Sequence, residues 1–381
     1  MKLQQKSRLR TLAAGSAVAS GALLLTACGS SGSSGPSDTT STAAAPTTTA
    51  ASGVKCGTAA HVPASGSTAQ EFAMQFWIKN YTRACPGTQI SYDGNGSGAG
   101  QTDFLKGKTA FAGSDSALSA AQISQSKGVC SNGGQAVHLP TVGGPIAIGY
   151  NLPGVKKLIL DAPTLAKVFD SRITKWNDPA IAKLNPGTKL PSTSIQASHR
   201  SDSSGTTDNF TSYLSAAAPS VWPHGHSKEW MAKGGQSAKG SSGLADQMKK
   251  NAGAIGYVEL SYAIARGIPT VSVDTGAPAP VDASVFTASK AISTAKIAGT
   301  GGDLVLRLDY ATKTPGAYPI DMVTYEIVCD KGNKPATWPA TKAFLTYIAG
   351  VQGQQDLSFQ GYATLPATIV NQVRSKIDSL T

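Results

Sequence analysis

The chain predicts an α/β fold of two domains, and three observations carry that expectation. Strand-like and helix-like stretches alternate along the sequence. About 325 residues remain after the N-terminal segments, enough for two domains of ordinary size. Three turns rich in glycine and hydroxyl side chains, at residues 65–68, 96–98 and 204–206, each stand where a helix begins. Ligands of open α/β sheets sit at the carboxyl ends of strands, where such helix starts converge.

The first residues set the address. Lys2, Lys6, Arg8 and Arg10 form a positive region ahead of a short apolar stretch, residues 12–25. That stretch falls short of the roughly 20 apolar residues of a membrane span. It ends in Leu25-Thr26-Ala27-Cys28, which resembles the lipobox of bacterial lipoprotein signal peptides. The resemblance implies cleavage after residue 27, a lipid on the sulfur of Cys28, and anchoring on the outer face of the plasma membrane. Removing residues 1–27 takes away four basic and no acidic groups, so the formal charge falls from +11 to +7. Residues 28–53 are almost wholly Ser, Thr, Ala, Gly and Pro, which cannot bury enough apolar surface to offset ordering, and read as a flexible linker.

Beyond it, Phe72, Phe76 and Trp77, with Ala69 and Ala73, make an amphipathic helix. Residues 88–92 alternate like a strand, a helix follows through Phe104 and Leu105, and residues 109–112 read as a second strand that leads to Asp115. Residues 146–150 and 254–258 are short buried-strand candidates; residues 165–169 and 340–351 look helical. Cys56, Cys85, Cys130 and Cys329 in an oxidising compartment suggest two disulfides with three possible connectivities. Metal binding is disfavoured, because the spacings are long and no C-x-x-C occurs.

The positive balance does not point to nucleic acid: Lys and Arg are scattered and no binding motif is visible. Small anions or anionic headgroups suit an exported cationic chain better. The residues from His199 to Thr207 sharpen this. Arg200 offers a planar fork of donors, with Asp202 as a partnering carboxylate. Ser204, Gly205 and Thr206 stand at a helix start whose free N–H groups favour negative charge. Gly205 lets backbone approach a small ligand, and Phe210, Tyr213 and Leu214 continue the helix. A Ser or Thr at such a turn also serves as a simple N-cap. An Asp at an anion site repels the ligand unless that ligand donates a proton, so Asp115 would admit phosphate and penalise sulfate.

An exported hydrolase is the rival class. Around Ser97 no G-x-S-x-G elbow forms, since Asn95 and Ala99 flank it, and no Walker Lys follows the Gly-rich turn. Ser124-Gln125-Ser126-Lys127 matches S-x-x-K without an accompanying K-T-G. The five His, among them His224 and His226, are poorly placed for a metal-dependent phosphatase. No catalytic residue, cofactor or metal is expected. A third class is a surface adhesin.

Several stretches resemble the phosphate-binding protein family of bacterial high-affinity phosphate ABC transporters. They are residues 64–68 (ASGST), 92–100 (YDGNGSGAG), 111–115 (FAGSD), 173–187 (ITKWNDPAIAKLNPG), 200–206 (RSDSSGT) and 253–259 (GAIGYVE). The resemblance covers residues 55–381 in order. It implies a periplasmic-binding-protein-like fold of type II, with two α/β lobes joined by a two-strand hinge around a ligand cleft. Lobe I would take residues 54–141 plus 318–381 and lobe II residues 142–317, with crossings near residues 141–144 and 318–320. Carried over by position, phosphate contacts fall on Thr68, Ala69, Ser97, Asp115, Arg200, Ser204, Gly205 and Thr206, with Asp202 orienting Arg200. All four remaining cysteines then fall in lobe I. The implied partners are inorganic phosphate and the permease and ATPase subunits of the importer, with the protein itself monomeric. One departure stands out: the family's aromatic-Pro pair after the Thr is replaced by Ala69-Gln70, and Glu71 adds negative charge nearby.

Overall fold

The computed structural model describes residues 53–355 and 357–381. The leader at 1–27, the lipidation site Cys28 and all of the linker except Gly53 lie outside the described residues. In chain order the first elements are β1 (Ala60–Gly66), α1 (Glu71–Ala84), β2 (Thr88–Asp93), α2 (Ser97–Leu105), β3 (Phe111–Ser114), α3 (Ala120–Ser126) and β4 (Ala136–Tyr150). Then follow β5 (Ile159–Asp161), α4 (Ala162–Phe169), α5 (Pro179–Leu184), β6 (Gln196–Arg200), α6 (Gly205–Ala217), β7 (Gln236–Ala238) and α7 (Gly240–Lys250). Next are β8 (Ala254–Glu259), α8 (Leu260–Arg266), β9 (Ser272–Asp274), β10 (Val281–Asp282), α9 (Val285–Ile292), β11 (Lys296–Ile297) and β12 (Leu306–Arg307). The chain ends with β13 (Asp321–Cys329), α10 (Trp338–Ala349), α11 (Val351–Gln354) and α12 (Ala367–Ser379). Among the described residues no helix is long and apolar enough to cross a membrane.

Eight strands line up in the order β2-β1-β3-β13-β4-β8-β6-β7. The β2-β1-β3 and β8-β6-β7 groups are parallel, whereas β13, β4 and β8 pair antiparallel. β4 joins the two halves: Ala136–Pro145 pairs with β13, and Ile146–Tyr150 pairs with β8. Two hydrophobic cores flank this strand. The first gathers Val62, Trp77, Phe104, Phe111 and Phe344; the second gathers Trp176, Phe210, Met248 and Tyr257. On β4 the change from one core to the other falls between Val142 and Ile146, and on β13 between Met322 and Val323. This is a mixed α/β fold of two lobes.

Local chemistry explains most elements. α1 buries Ala73, Met74, Trp77 and Tyr81 at helical spacing, with Glu71 in its first turn and Arg83 in its last, as the macrodipole favours. The Phe72 and Phe76 side chains are only partly buried, against the sequence expectation of a shared core face. β3 begins two residues later than residues 109–112 suggest, because its register is taken from Ala64, Ser65 and Gly66 of β1. The helix expected over 340–351 stops at Ala349, where Gly350 turns extended. Residues 285–307, assigned by sequence to the second lobe, contribute Ala288, Ile292, Leu304 and Leu306 to the first core. Gly143 makes room for that strap, since a Cβ there would collide with Ile292 Cδ1. The disulfides are Cys56–Cys85 and Cys130–Cys329, closing separations of 29 and 199 residues.

Candidate functional site

On the second lobe, Arg200 ends β6 and is 3% exposed. Its Nε and Nη2 donate to Asp202 Oδ1 and Oδ2 at 2.7 and 2.5 Å, and Nη1 donates to Ser241 Oγ at 3.4 Å. Asp202 Oδ1 also accepts from the Gly240 N–H at 3.0 Å. Burial alone would raise the Asp202 pKa, but the bonds and charge of Arg200 outweigh it and hold the carboxyl below its usual range. Of five guanidinium N–H groups, two serve Asp202 and one serves Ser241, which leaves one on each terminal nitrogen. Next to it, Ser204 caps α6 by accepting from the Thr207 N–H at 3.2 Å, while its own N–H donates to Lys228 O at 2.9 Å.

On the first lobe, Asp115 follows β3 and is likewise 3% exposed. Its Oδ2 accepts from Ser67 Oγ at 2.8 Å and from Ser97 Oγ and Thr206 Oγ1 at 3.4 Å each; Oδ1 accepts from Thr324 Oγ1 at 2.9 Å. Burial raises its pKa, opposed by the Ser67 and Thr324 hydroxyls and then by the charge of Arg200. Ser97, the first residue of α2, accepts in turn from the Asp115 N–H at 3.2 Å. Tyr92 braces the turn behind, donating to Ser67 O at 2.8 Å.

The two sides touch. Gly98 N–H donates to Ser203 O at 3.0 Å, and Asn209 Nδ2 to Asp115 O at 2.7 Å. A Cβ on Gly205 would lie 2.6 Å from Ser97 Oγ and 2.7 Å from Asp115 Cβ, so only glycine permits this approach. Thr68 faces Ser241 across the lobes, Oγ1 to Oγ at 2.9 Å. Lys228 donates to Gln101 Oε1. The lobes are therefore closed on one another around Arg200 and Asp115.

All the sequence-derived positions come together here, with two differences of detail. The Ala69 N–H turns back to Ser67 Oγ at 3.0 Å, and Ala69 itself packs in the second core. Glu71 is engaged from the second lobe, accepting from Tyr262 Oη at 3.1 Å. The aromatic ring absent after Thr68 has a counterpart one turn on, where Phe72 packs on Tyr262 with ring centroids 4.6 Å apart. Ser241 and Thr324 escaped the sequence reading; Thr324 lies 209 residues from Asp115 on a strand without a motif. Ser241, in Gly240-Ser241-Ser242-Gly243 at the start of α7, repeats the glycine-and-hydroxyl signal of the other three turns and could have been found. His224 and His226 bond separate carboxylates, Asp170 and Asp208, at 2.7 Å each. Among the described residues no cluster of His, Cys, Asp and Glu is arranged to hold a metal. A buried guanidinium with two free N–H groups, hydroxyls and a helix N-terminus suit a small oxyanion.

Comparison with known proteins agrees with that chemistry. The PBP superfamily domain matches residues 37–351. Phosphate-binding protein PstS2 of Mycobacterium bovis (strain BCG / Pasteur 1173P2) is 40% identical over 374 residues, covering 97% of this chain and 99% of that protein. Phosphate-binding protein PstS 2 of Mycobacterium tuberculosis (strain ATCC 25618 / H37Rv) is 41% identical over 376 residues, with the same coverage of 97% and 99%. Among solved structures, the high affinity periplasmic phosphate-binding protein PfluDING shares the fold with a TM-score of 0.65 at 20% identity, covering 83% of this chain and 93% of that one. A phosphate ABC transporter substrate-binding protein from Clostridium perfringens does so with a TM-score of 0.59 at 17% identity, covering 80% and 100%.

Proposed function

Since the chain belongs to the PBP superfamily and, within it, to the family of the PstS phosphate-binding proteins, we propose that it captures inorganic phosphate outside the cytoplasm and delivers it to an ABC-type importer. The observation that carries this reading is the pairing of Arg200 and Asp115, both buried, on opposite walls of one closed cleft. The two N–H groups that Arg200 keeps free of protein partners supply a bidentate grip on two ligand oxygens. The N–H groups of Gly205 and Thr206 at the start of α6 and the hydroxyls of Ser97 and Thr68 add donors, whereas the Ala69 N–H, bonded to Ser67 Oγ, would have to leave that partner to join them. Asp115 Oδ1 has one lone pair beyond that engaged by Thr324 and accepts the proton that phosphate carries and sulfate lacks. Closure around the anion excludes water and strengthens each bond.

The process is reversible binding without a covalent step, with no cofactor or metal. Lobe I takes residues 54–142 with 323–381 and lobe II residues 146–322, moving about β4 and β13 where the two cores change over, with residues 285–307 strapped across to lobe I. Ligand favours the closed form because it touches both lobes at once. The leader at 1–27 is removed, a lipid on Cys28 anchors a monomer to the outer face of the plasma membrane, and the linker at 28–53 gives it reach to the permease and its ATPase. Isothermal titration with phosphate, arsenate and sulfate tests the reading. Tight binding of phosphate with little uptake of sulfate is expected; no phosphate binding, or turnover of a phosphate ester at the same cleft, refutes it.

A further inference from the structure

Ser241 is the second residue of the eleven-residue helix α7 and is 1% exposed, and its hydroxyl sits between the two lobes. Three bonds meet there. Arg200 Nη1 donates to Ser241 Oγ at 3.4 Å, the Ser241 N–H donates to Thr68 Oγ1 at 3.1 Å, and the two hydroxyl oxygens lie 2.9 Å apart. What this pair can offer a ligand follows from counting protons. Each hydroxyl owns one donor and two acceptor lone pairs. Arginine only donates, so Ser241 Oγ already accepts once. Thr68 Oγ1 likewise accepts once, from the Ser241 N–H, so either hydroxyl can be the donor in the bond between them. In both arrangements the accepting hydroxyl has its two lone pairs filled and keeps its own proton free to point into the cleft.

We propose that Ser241 is a positioning residue that pairs with Thr68, so that one of the two hydroxyls is a dedicated hydrogen-bond donor to the bound anion, and that completes the clasp between the lobes. The proposal rests on the anion-cleft reading above. Two incoming bonds polarise that hydroxyl, so it donates more strongly, and neither of its lone pairs is left facing an anion. Arg200 is held by the same hydroxyl, which ties the aim of the guanidinium to closure. The Thr68–Ser241 bonds join opposite lobes and exist only when the lobes meet, so they act on release of the ligand rather than on its capture.

A double-mutant cycle tests this by calorimetry and stopped-flow with inorganic phosphate. Ser241→Ala is expected to weaken binding about ten-fold, the worth of one hydrogen bond on a charged ligand, through faster release with an unchanged capture rate. In the Thr68→Val background the same substitution loses most of its effect, because its target hydroxyl is gone. Ser241→Thr, which keeps the hydroxyl, restores much of the affinity. Equal effects of Ser241→Ala in both backgrounds, or wild-type affinity in the single variant, overturn the proposal while leaving phosphate capture intact. Failure of the wild-type protein to bind phosphate overturns the capture reading instead. Ligand-free thermal melting of Ser241→Ala close to that of wild type accompanies the expected result; a large loss of stability would assign Ser241 to the fold rather than to the clasp.

Discussion

Two carboxylates meet at the cleft, Asp115 from the first lobe and Asp202 from the second, and burial pushes both toward the neutral acid. Asp202 is overruled. A bidentate contact with Arg200 keeps it ionised below the usual carboxyl range, so the pair enters the cleft without net charge. Asp115 has only hydroxyls as direct side-chain partners and a more distant pull from Arg200, and its pKa stays raised. The same residue type is thus a structural counter-ion on one wall and a titratable acceptor on the other, and the neighbours rather than the residue decide which. Recognition of a protonated anion needs this asymmetry: a wall that grips, and a wall that repels whatever has no proton to give.

Removing the guanidinium breaks the comparison most severely. Arg200→Ala strands Asp202 as an unpaired buried charge and deletes the bidentate grip, so phosphate affinity is expected to fall by about 3–5 kcal/mol, read by titration calorimetry. Arg200→Lys recovers little, because an ammonium cannot serve Asp202 and the ligand with one planar fork.

Pushing the walls apart comes next. Gly205→Ala places a methyl against Ser97 Oγ and Asp115 Cβ, within 2.6 and 2.7 Å. Phosphate should bind at least about ten-fold more weakly, through faster release, because the clash arises only on closure. A variant that binds and releases at wild-type rates would show that the lobes do not need this contact.

Neutralising the repelling wall changes selectivity more than strength. Asp115→Asn should narrow the gap between phosphate and sulfate in competition titrations, since an amide can donate to the fully ionised anion. An unchanged ratio removes the screening role from Asp115.

The smallest effect is on ligand-free stability, with opposite signs for the two acids. The raised pKa of Asp115 means its cost is absent at low pH, where the acid is neutral in both states, and develops as pH rises through the carboxyl range. The depressed pKa of Asp202 means its contribution is present above the ordinary carboxyl range and lost as pH falls through its lowered value. Asp115→Asn should therefore raise the melting temperature at pH 7 and lose that gain toward pH ~4. Asp202→Asn should lower it at pH 7, and the deficit should shrink on acidification. Melting curves that move in the same direction for both variants would mean the two environments are not opposed.

Legibility from sequence followed the range of the interactions. The start of α6 was readable because a capping serine, a glycine and an i, i+3, i+4 apolar set lie within about ten residues. β4 was not: residues 146–150 alone read as strand, and residues 141–144 stood only as a lobe crossing implied by the family resemblance. In the fold β13 and β8 supply hydrogen-bond partners along its length, and a register shift beside Thr324 and Tyr325 accommodates Pro140. Glu259, Asp321 and Glu326 are buried with raised pKa values, a state no local pattern announces.

The sequence by itself determined the α/β alternation, the helix-start chemistry and the Arg200–Asp202 pair, because each depends on residues within a turn or two of one another. The tertiary structure alone decided that Cys130 joins Cys329, that Thr324 and Ser67 flank Asp115, and that Ser241 reaches Thr68. Those contacts, apart from that of Ser67, close loops of more than 170 residues. They exist because hydrophobic burial in two cores on either side of one shared strand brings the lobes together, and burial is non-directional and leaves no motif in the chain.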